Sequence, residues 1–413
     1  METSTLEFDL EHDEQKIIKV VGVGGGGGNA VTHMYNTKGI HDVSFLLCNT
    51  DKQALMKSEV PDKLVIGETV TKGLGSGNQP PKARLAAEES REDITRLLRD
   101  GTQMVFVTAG MGGGTGTGAA PVIAQIAKDM GILTVGIVTI PFLFEGESKI
   151  YQALEGVEEI RRNVDALLVI NNERLREIYP DLTMTNAFAK ADDTLTVAAK
   201  SIAEIITLPG LINLDFADVH TTMKDGGVAL ISNGYGEGER RVQLAIENAL
   251  KSPLMNNNDI FSAKKILFNI SFGRKAELLM EEMNDVHLFM KKFNSELDVI
   301  WGTAIDNTLG EQVKITILAT GFGTEAIPRM PDKQPPEHLK AVKEQYYASP
   351  GKKSGQGIRF ALLTTRELDD DRLITWLEEH PTYKREPKMV ANFRGKSAPV
   401  ASPPATDLPV IHF

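Results

Sequence analysis

The 413-residue sequence predicts an α/β protein: a doubly wound parallel-sheet domain, a long central helix, a second and smaller α+β domain, and a flexible C-terminal tail. Three observations predict it. Short apolar runs rich in β-branched residues alternate with helix-length segments through the first 185 residues, the pattern of βαβ units and therefore of a parallel sheet. Two of those runs end in glycine clusters, residues 22–28 and 110–118, which together hold 12 of the 37 glycines. Prolines gather at the other end of the chain, where residues 331–413 hold 10 of the 19 and have the composition of a linker and tail.

Composition narrows the function classes. A chain 41% hydrophobic and 24% charged is ordinary for a globular protein. The net charge of −11 argues against a nucleic-acid partner, whose phosphates demand clustered Lys and Arg. The single cysteine, Cys48, excludes an intramolecular disulfide and a thiolate metal cluster, and its place in the apolar run Phe45–Cys48 makes it a core residue. Six acids and no Lys or Arg in the first fourteen residues are the reverse of a signal peptide, and no apolar run approaches the ~18 residues that span a bilayer. The expectation is a cytoplasmic protein with an acidic arm over residues 1–16 and no direct membrane insertion.

In chain order, Ile17–Val21 reads as the first strand, followed by the glycines of 22–28 and a helix from about Asn29. Gly22, Gly24 and Gly27 have the spacing of the dinucleotide fingerprint, and Asp51 stands where an acidic ribose ligand would follow the second strand. The second glycine cluster speaks against that fold, which has one phosphate loop. There the strand Met104–Val107 runs into Gly110–Gly118, and a helix is expected from Ala119 with Pro121 in its first turn, where a missing N–H costs nothing. Strand, glycine loop and helix start make an anion site. Without Cβ atoms the backbone can close on a phosphate with its N–H groups inward, each contributing about 1.5–3 kcal/mol, and the helix dipole adds about half a positive charge. It is no Walker loop, because Ala119 follows Gly118 where Lys is required, and Gly395–Ser397 in the tail lacks the upstream glycine. Two such loops at adjacent strand ends would wrap one nucleotide with a long phosphate tail.

The alternation continues with a helix over Ala83–Arg99 and strands at Leu133–Val138 and Ala166–Ile170. Ligands of such sheets lie at the carboxyl ends of the strands, which makes candidates of Asn49, Asp51, Thr139, Glu145, Asn171, Asn172 and Glu173, each otherwise a turn or cap residue. From Asn186 to about Leu208 an apolar stripe at three- and four-residue spacing predicts a long helix packed between domains. On its first turns Asp192 matches the N–H donors of a guanine edge, and Phe188 either stacks on the base or packs. Pro209-Gly210 ends the helix. In Asn213-Leu-Asp-Phe-Ala-Asp218, Asp215 and Asp218 share one face of the next helix, an arrangement equally suited to N-cap and first-turn acids. Beyond Gly226 the runs Val228–Ser232, Ile266–Ser271, Asp298–Thr303 and Val313–Ala319 read as strands, and Arg241–Leu250 and Glu277–Asn294 as helices. In the tail, Asp369–His380 reads as an amphipathic helix whose Trp376 and Leu377 suit a partner.

GVGGGGGNAV from Gly22, GGGTGTGAAPVIA from Gly112, PFLFEGE from Pro141 and NLDFADV from Asn213, in that order, resemble the tubulin/FtsZ GTPase family over about Ile17 to Gly323. The resemblance implies a GTPase that polymerises head to tail into filaments of the bacterial division ring. Its nucleotide would be GTP or GDP with Mg²⁺, and its partners a second copy of itself and, through the tail, division-ring regulators and membrane adaptors. The implied GTP-binding residues are Gly24, Gly25, Gly26, Asn29, Asn49 and Gly110, with Gly112, Gly113, Gly114, Thr115, Gly116, Thr117 and Gly118 on the phosphates. Pro141, Glu145 and Lys149 lie near ribose and phosphate in this reading, and Asn172, Phe188 and Asp192 address ribose and guanine. Asn213, Asp215 and Asp218 form a synergy loop, catalytic for the next subunit. The chain departs from the family's habit at Lys149 and His220, where Arg and a basic residue are common, and in its tail, where only Asp407-Leu-Pro409 resembles the Asp-Ile-Pro of the family's adaptor-binding peptide. The corresponding division is 17–185 for GTP binding, 186–225 for the central helix and synergy loop, 226–330 for the C-terminal domain and 331–413 for linker and tail. Two alternatives stay open: a dinucleotide-dependent oxidoreductase built on Gly22–Gly27, and a non-hydrolysing scaffold of the same fold.

Overall fold

The computed structural model describes residues 16–37, 40, 42–252, 260–293, 297–322 and Thr375. Seven parallel strands form the first sheet: β1 (Ile18–Val23), β2 (Val43–Asn49), β3 (Asp62–Val65), β4 (Met104–Gly110), β5 (Leu133–Ile140), β6 (Ala166–Asn171) and the short β7 (Gly227–Val228). Their order is β3-β2-β1-β4-β5-β6-β7. The connecting helices are α1 (Gly24–Thr37), α2 (Lys52–Met56), α3 (Glu68–Thr71), α4 (Pro80–Glu89), α5 (Arg91–Leu98), α6 (Gly114–Asp129), α7 (Glu147–Asn163), α8 (Asn172–Ile178), α9 (Met184–Thr207) and α10 (Phe216–Met223). Because helices cover both faces, β1 and β5 are buried at every position and read as nearly unbroken apolar runs.

Residues of α1 and α9 pack on one face of this sheet, and residues of α4, α5, α6 and α7 on the other. The winding reverses between β1 and β4. From β1 the chain passes through α1 to β2 on one side, whereas from β4 it passes through α6 to β5 on the other, so α1 and α6 start side by side above neighbouring strands. A crevice at such a reversal is where doubly wound sheets hold their ligands.

A second sheet, ordered β10-β9-β11-β8, comprises β8 (Leu230–Gly236), β9 (Lys265–Phe272), β10 (Asp298–Ile305) and β11 (Val313–Thr320), with α11 (Arg241–Leu250) and α12 (Met283–Met290) packed on it. Helix α9 is the shared wall. Its Leu195, Ala198, Ile202 and Ile205 join one core with Val219 and Met223 of α10 and with Ile231, Leu267 and Leu318 of the second sheet. Polar ties reinforce the seam: Lys314 donates to Glu204 at 2.6 Å, and Asn233 donates to Ser201.

Several helix limits differ from those the sequence predicts. Helix α1 begins at Gly24, not Asn29, and α6 at Gly114, not Ala119, which puts Pro121 at the eighth position instead of the first turn. The glycines are helical because they must approach other backbone closely. A Cβ at Gly27 would stand 2.1 Å from Thr108 O, and one at Gly118 2.1 Å from Pro80 O. The segment Ala83–Arg99 is two helices, broken at Ser90, whose hydroxyl accepts the Gly67 N–H at 3.0 Å. Helix α12 starts at Met283, not Glu277: Arg241 captures the carbonyls of Ala276 and Glu277 and the carboxylate of Glu282. The acidic arm over residues 1–15, the tail helix Asp369–His380 apart from Thr375, and Asp407-Leu-Pro409 lie outside the described residues.

Candidate functional site

The starts of α1 and α6 touch. Gly24 adopts φ +72°, and a Cβ there would lie 2.8 Å from Gly116 N; one at Gly26 would lie 3.2 Å from Gly110 Cα. On α6, a Cβ at Gly114 would meet Ser76 Oγ at 2.2 Å and one at Gly116 would meet Gly110 O at 2.4 Å. Only glycine permits this approach. The first turns of two helices, whose leading N–H groups have no intrahelical acceptor, thus converge, and on the α1 side lies a cavity of ≈ 270 Å³ lined by Gly24, Gly25, Gly28, Asn29 and Asn49 together with Ala54, Leu55 and Ser58. Two helix dipoles add positive potential at the same point.

Residues 110–118 do not line that cavity, and several of their groups are engaged within the loop. Thr117 Oγ1 accepts the Gly112 N–H at 2.9 Å, so this hydroxyl and this N–H are engaged inside the loop. Thr115 Oγ1 shares hydrogen bonds with Thr50 Oγ1 at 2.7 Å and Ser76 Oγ at 3.2 Å. Ser76 belongs to a third loop, residues 73–79, which sequence reasoning missed although its glycines stand at alternate positions. Gly73, Gly75, Gly77 and Asn78 all have positive φ there.

Next to Gly112 stands Pro141, whose Cγ would lie 2.8 Å from a Cβ at that glycine. The loop that follows is folded on itself. Glu145 accepts the Phe142 N–H at 3.0 Å and pairs with Lys149 at 3.3 Å. Glu173 is buried and accepts the Leu143 N–H at 3.0 Å while pairing with Arg176, so it holds this loop in place. Asp51 caps α2 through the N–H groups of Gln53 and Ala54, and Asn171 caps α8. Asn49 Oδ1 accepts the Asp51 N–H, and Thr139 holds Met111 N–H through its carbonyl. Asn172 differs: its Oδ1 is buried with no hydrogen-bond partner among the described residues. An orphaned acceptor at the carboxyl end of β6 fits a ligand that brings its own donors.

At the start of α9, burial pushes the Asp192 carboxyl up to about 7. Phe188 stands edge-on to Phe142 at 5.3 Å and to Phe144 at 6.5 Å, so its ring is already part of an aromatic cluster. The other end of α9 carries the second candidate group. Asn213 Oδ1 accepts the Gly210 N–H at 2.7 Å, and Thr303 Oγ1 accepts from Leu211 and Ile212, which clamps this loop to β10. Asp215 and Asp218 form a reciprocal capping box at the start of α10: Asp215 Oδ1 accepts from Ala217 and Asp218, and Asp218 Oδ2 accepts from Asp215. One oxygen of each carboxylate takes part, leaving Asp215 Oδ2 and Asp218 Oδ1 outside the box. His220 packs against the Phe216 ring at 5.9 Å. No group of three His, Cys, Asp or Glu suited to a metal ion occurs among the described residues.

Comparison with known proteins places this geometry. Residues 17–180 match the GTPase domain of the Tubulin/FtsZ family, and residues 227–323 the C-terminal domain of the FtsZ family. A Porphyromonas gingivalis protein named cell division protein FtsZ is 57% identical over 407 residues, covering 93% of this chain and 89% of the relative. The chain belongs to the tubulin/FtsZ family. A second family member of that name, from Coxiella burnetii, is 46% identical over 75% of this chain and 80% of its own. Among solved structures, an FtsZ dimer from M. jannaschii superposes with a TM-score of 0.69 at 39% identity, covering 76% of this chain and 90% of that one. The doubly wound sheet with its two glycine-started helices is therefore the GTPase domain of the tubulin/FtsZ family, and the four-stranded sheet lies in the FtsZ-type C-terminal domain. Among the described residues, no helix is long and apolar enough to cross a membrane.

Proposed function

We propose that this protein binds GTP in the crevice of residues 17–185, assembles head to tail into filaments of the division ring, and hydrolyses GTP only where the 213–218 loop of one subunit meets the nucleotide of the next. The observation that carries the reading is the separation of the two groups along one helix. Asp192 lies in the first half of α9, while Asp215 and Asp218 follow its end; the 15 residues from Asp192 to Thr207 at 1.5 Å each make about 22 Å, before the loop that leads on to Asp215. Two carboxylates beside a triphosphate in the same subunit would repel it. At the far end they can reach only a neighbour's. Exposed apolar side chains accompany both ends, Phe144 and Met184 at one and Leu211 and Trp301 at the other, as a heterologous, chain-forming contact requires.

In this reading the N–H groups of Gly24–Gly26 and of the 110–118 loop hold the phosphates, with Asn29, Asn49 and Thr115 beside them. Pro141, Glu145 and Lys149 border the ribose and phosphate, and Asn172, Phe188 and Asp192 the ribose and guanine. Asp215 and Asp218 orient water with the oxygens their capping box leaves over, and Asn213 keeps the loop in shape. A Mg²⁺ ion arriving with the nucleotide would neutralise charge on the phosphates. The relatives' name supports a cytoplasmic location at the division site, with residues 331–413 reaching regulators and membrane adaptors. The oxidoreductase alternative does not suit a chain whose residues 17–180 match the GTPase domain of the Tubulin/FtsZ family.

The test is GTP turnover against protein concentration, with sedimentation of polymer. Specific activity should rise steeply once polymer pellets. Mixing Asp218→Asn with Gly114→Leu, the second checked to co-pellet, should restore turnover that neither shows alone. Activity independent of concentration would reject completion of the site by a neighbour.

A further inference from the structure

We infer that Gln152, on α7, is a positioning residue for the phosphate-binding loop: its amide holds two loop carbonyls outward and so aims the N–H groups of Gly113 and Gly114 at the ligand. The inference rests on the reading of that loop as a GTP site. Gln152 Nε2 lies 3.2 Å from Gly112 O and 3.1 Å from Gly113 O. In a planar trans peptide the carbonyl and the following N–H point in opposite directions. Drawing the Gly112 carbonyl toward α7 therefore turns the Gly113 N–H away from it, and drawing the Gly113 carbonyl does the same for Gly114.

These two N–H groups matter most in the loop. Gly113 is the N-cap of α6 and Gly114 its first residue, so neither has an intrahelical acceptor. The preceding N–H, of Gly112, is already donated to Thr117. A Cβ at Gly113 would meet nothing within 4 Å, so its side of the chain is open. Peptide planes between glycines have no Cβ to restrain them, and Gly112 sits at φ +95°, where only glycine is at ease. An outside donor is needed to select one orientation. The same Nε2 reaches Asn78 Oδ1 at 3.3 Å, which ties the third loop to the other two elements. Two protons serve three acceptors, so one is shared. Helix α7 is a firm base for this, since a Cβ at Gly112 would stand 2.9 Å from Lys149 O and one at Gly156 2.5 Å from Thr117 Cγ2. Without the amide, a nucleotide must order the loop as it binds, which weakens affinity in the same way that any unorganised site does.

Gln152→Met keeps the length and removes both donors; Gln152→Glu keeps the shape and sets a carboxylate against two carbonyls. The full-length protein, held below its assembly concentration, is titrated with fluorescent GTP and GDP analogues, and the melting midpoint of the nucleotide-free protein is recorded. KM and kcat follow at assembling concentration. For Gln152→Met both nucleotides should bind about tenfold more weakly, the scale of one lost hydrogen bond to the loop, and Gln152→Glu should lose more. The midpoint should stay within about 2 °C, and KM should rise while kcat at saturating GTP stays within about twofold. Unchanged affinity in both variants overturns the inference, and so does an affinity loss that merely follows a lowered midpoint. A wild-type protein that fails to bind GTP overturns the proposed function and this inference together. That outcome is distinct from a wild type that binds and a Gln152→Met that binds equally well.

Discussion

Lys224, the C-cap residue of α10, sets its ammonium 2.9 Å from the Asp165 carboxylate, whose side chain is entirely buried between β5 and β6. Burial alone would push that carboxyl up. The Thr134 N–H and the Lys224 and Lys128 ammoniums outweigh it and hold the group below the usual carboxylate range. The helix that begins with Asp215 and Asp218 is thus tied at its other end to the first sheet.

Asp165→Asn should cost about 2–3 kcal/mol at pH 7, less than a wholly buried pair because Lys224 is partly exposed. A carboxyl depressed in the folded state adds stability above its unfolded value, near 4, and that share is lost as pH falls through the lower folded value. Urea unfolding of both proteins should therefore show a difference at pH 7 that narrows toward about pH 3. An equal difference at both pH values would remove the ion pair as its cause.

Asp192 has the opposite sign. With its carboxyl raised to about 7, the nucleotide-free fold keeps a proton that the unfolded chain has lost, so this group's share of stability falls as pH rises from about 4 to 7. On the proposed assignment of Asp192 to the guanine edge, recognition needs the charged form. GTP affinity should rise as pH goes from 6 to 8, by roughly tenfold per unit below 7, and Asp192→Asn should flatten the curve. Binding titrations decide it, and a flat wild-type profile would separate Asp192 from the base.

The capping box changes how Asp218 should be probed. Asp218→Ala removes an acceptor for the Asp215 N–H and should cost about 0.5–2 kcal/mol of stability, whereas Asp218→Asn keeps the acceptor and removes the charge. Both should bind GTP as monomers nearly as the wild type does and lose turnover by about 10²-fold or more. Calorimetric melting should distinguish them. Full turnover in Asp218→Asn would leave the residue a purely capping role.

The glycines divide into two groups. Gly27→Ala places a methyl group 2.1 Å from Thr108 O and should unfold or strongly destabilise the domain. Gly113→Ala meets open space at φ −99°, so the melting midpoint should barely move while nucleotide affinity drops. A stable Gly113→Ala protein with unchanged affinity would place the phosphates elsewhere.

Much of this was legible in the chain. Strands β1, β4 and β5 are short apolar runs with glycines after two of them, and those features alone locate the crevice. The helix starts were not, since a glycine run reads as loop by propensity and its reason, backbone approach to Thr108 and Pro80, involves residues distant in sequence. Helix α7 left a signal in Ile150, Leu154, Val157 and Ile160, obscured by the interior Gly156. Gln152 left none, because its partners include backbone carbonyls supplied by the fold. Asp215 and Asp218 illustrate a different limit: one spacing serves a cap and a reagent alike, and the structure gives each carboxylate an oxygen for the first.

The central position of β1 has a consequence for how the protein is made. Its neighbour β2 begins at Val43, but its other neighbour, β4, only at Met104, so a growing chain carries one wall of the crevice long before the other exists. Parallel pairing over that span is slow, because the loop must close before any contact rewards it. A nucleotide cannot help the early chain, having nothing complete to bind. A nucleotide that binds only once α6 and α9 are docked would favour the finished form by mass action.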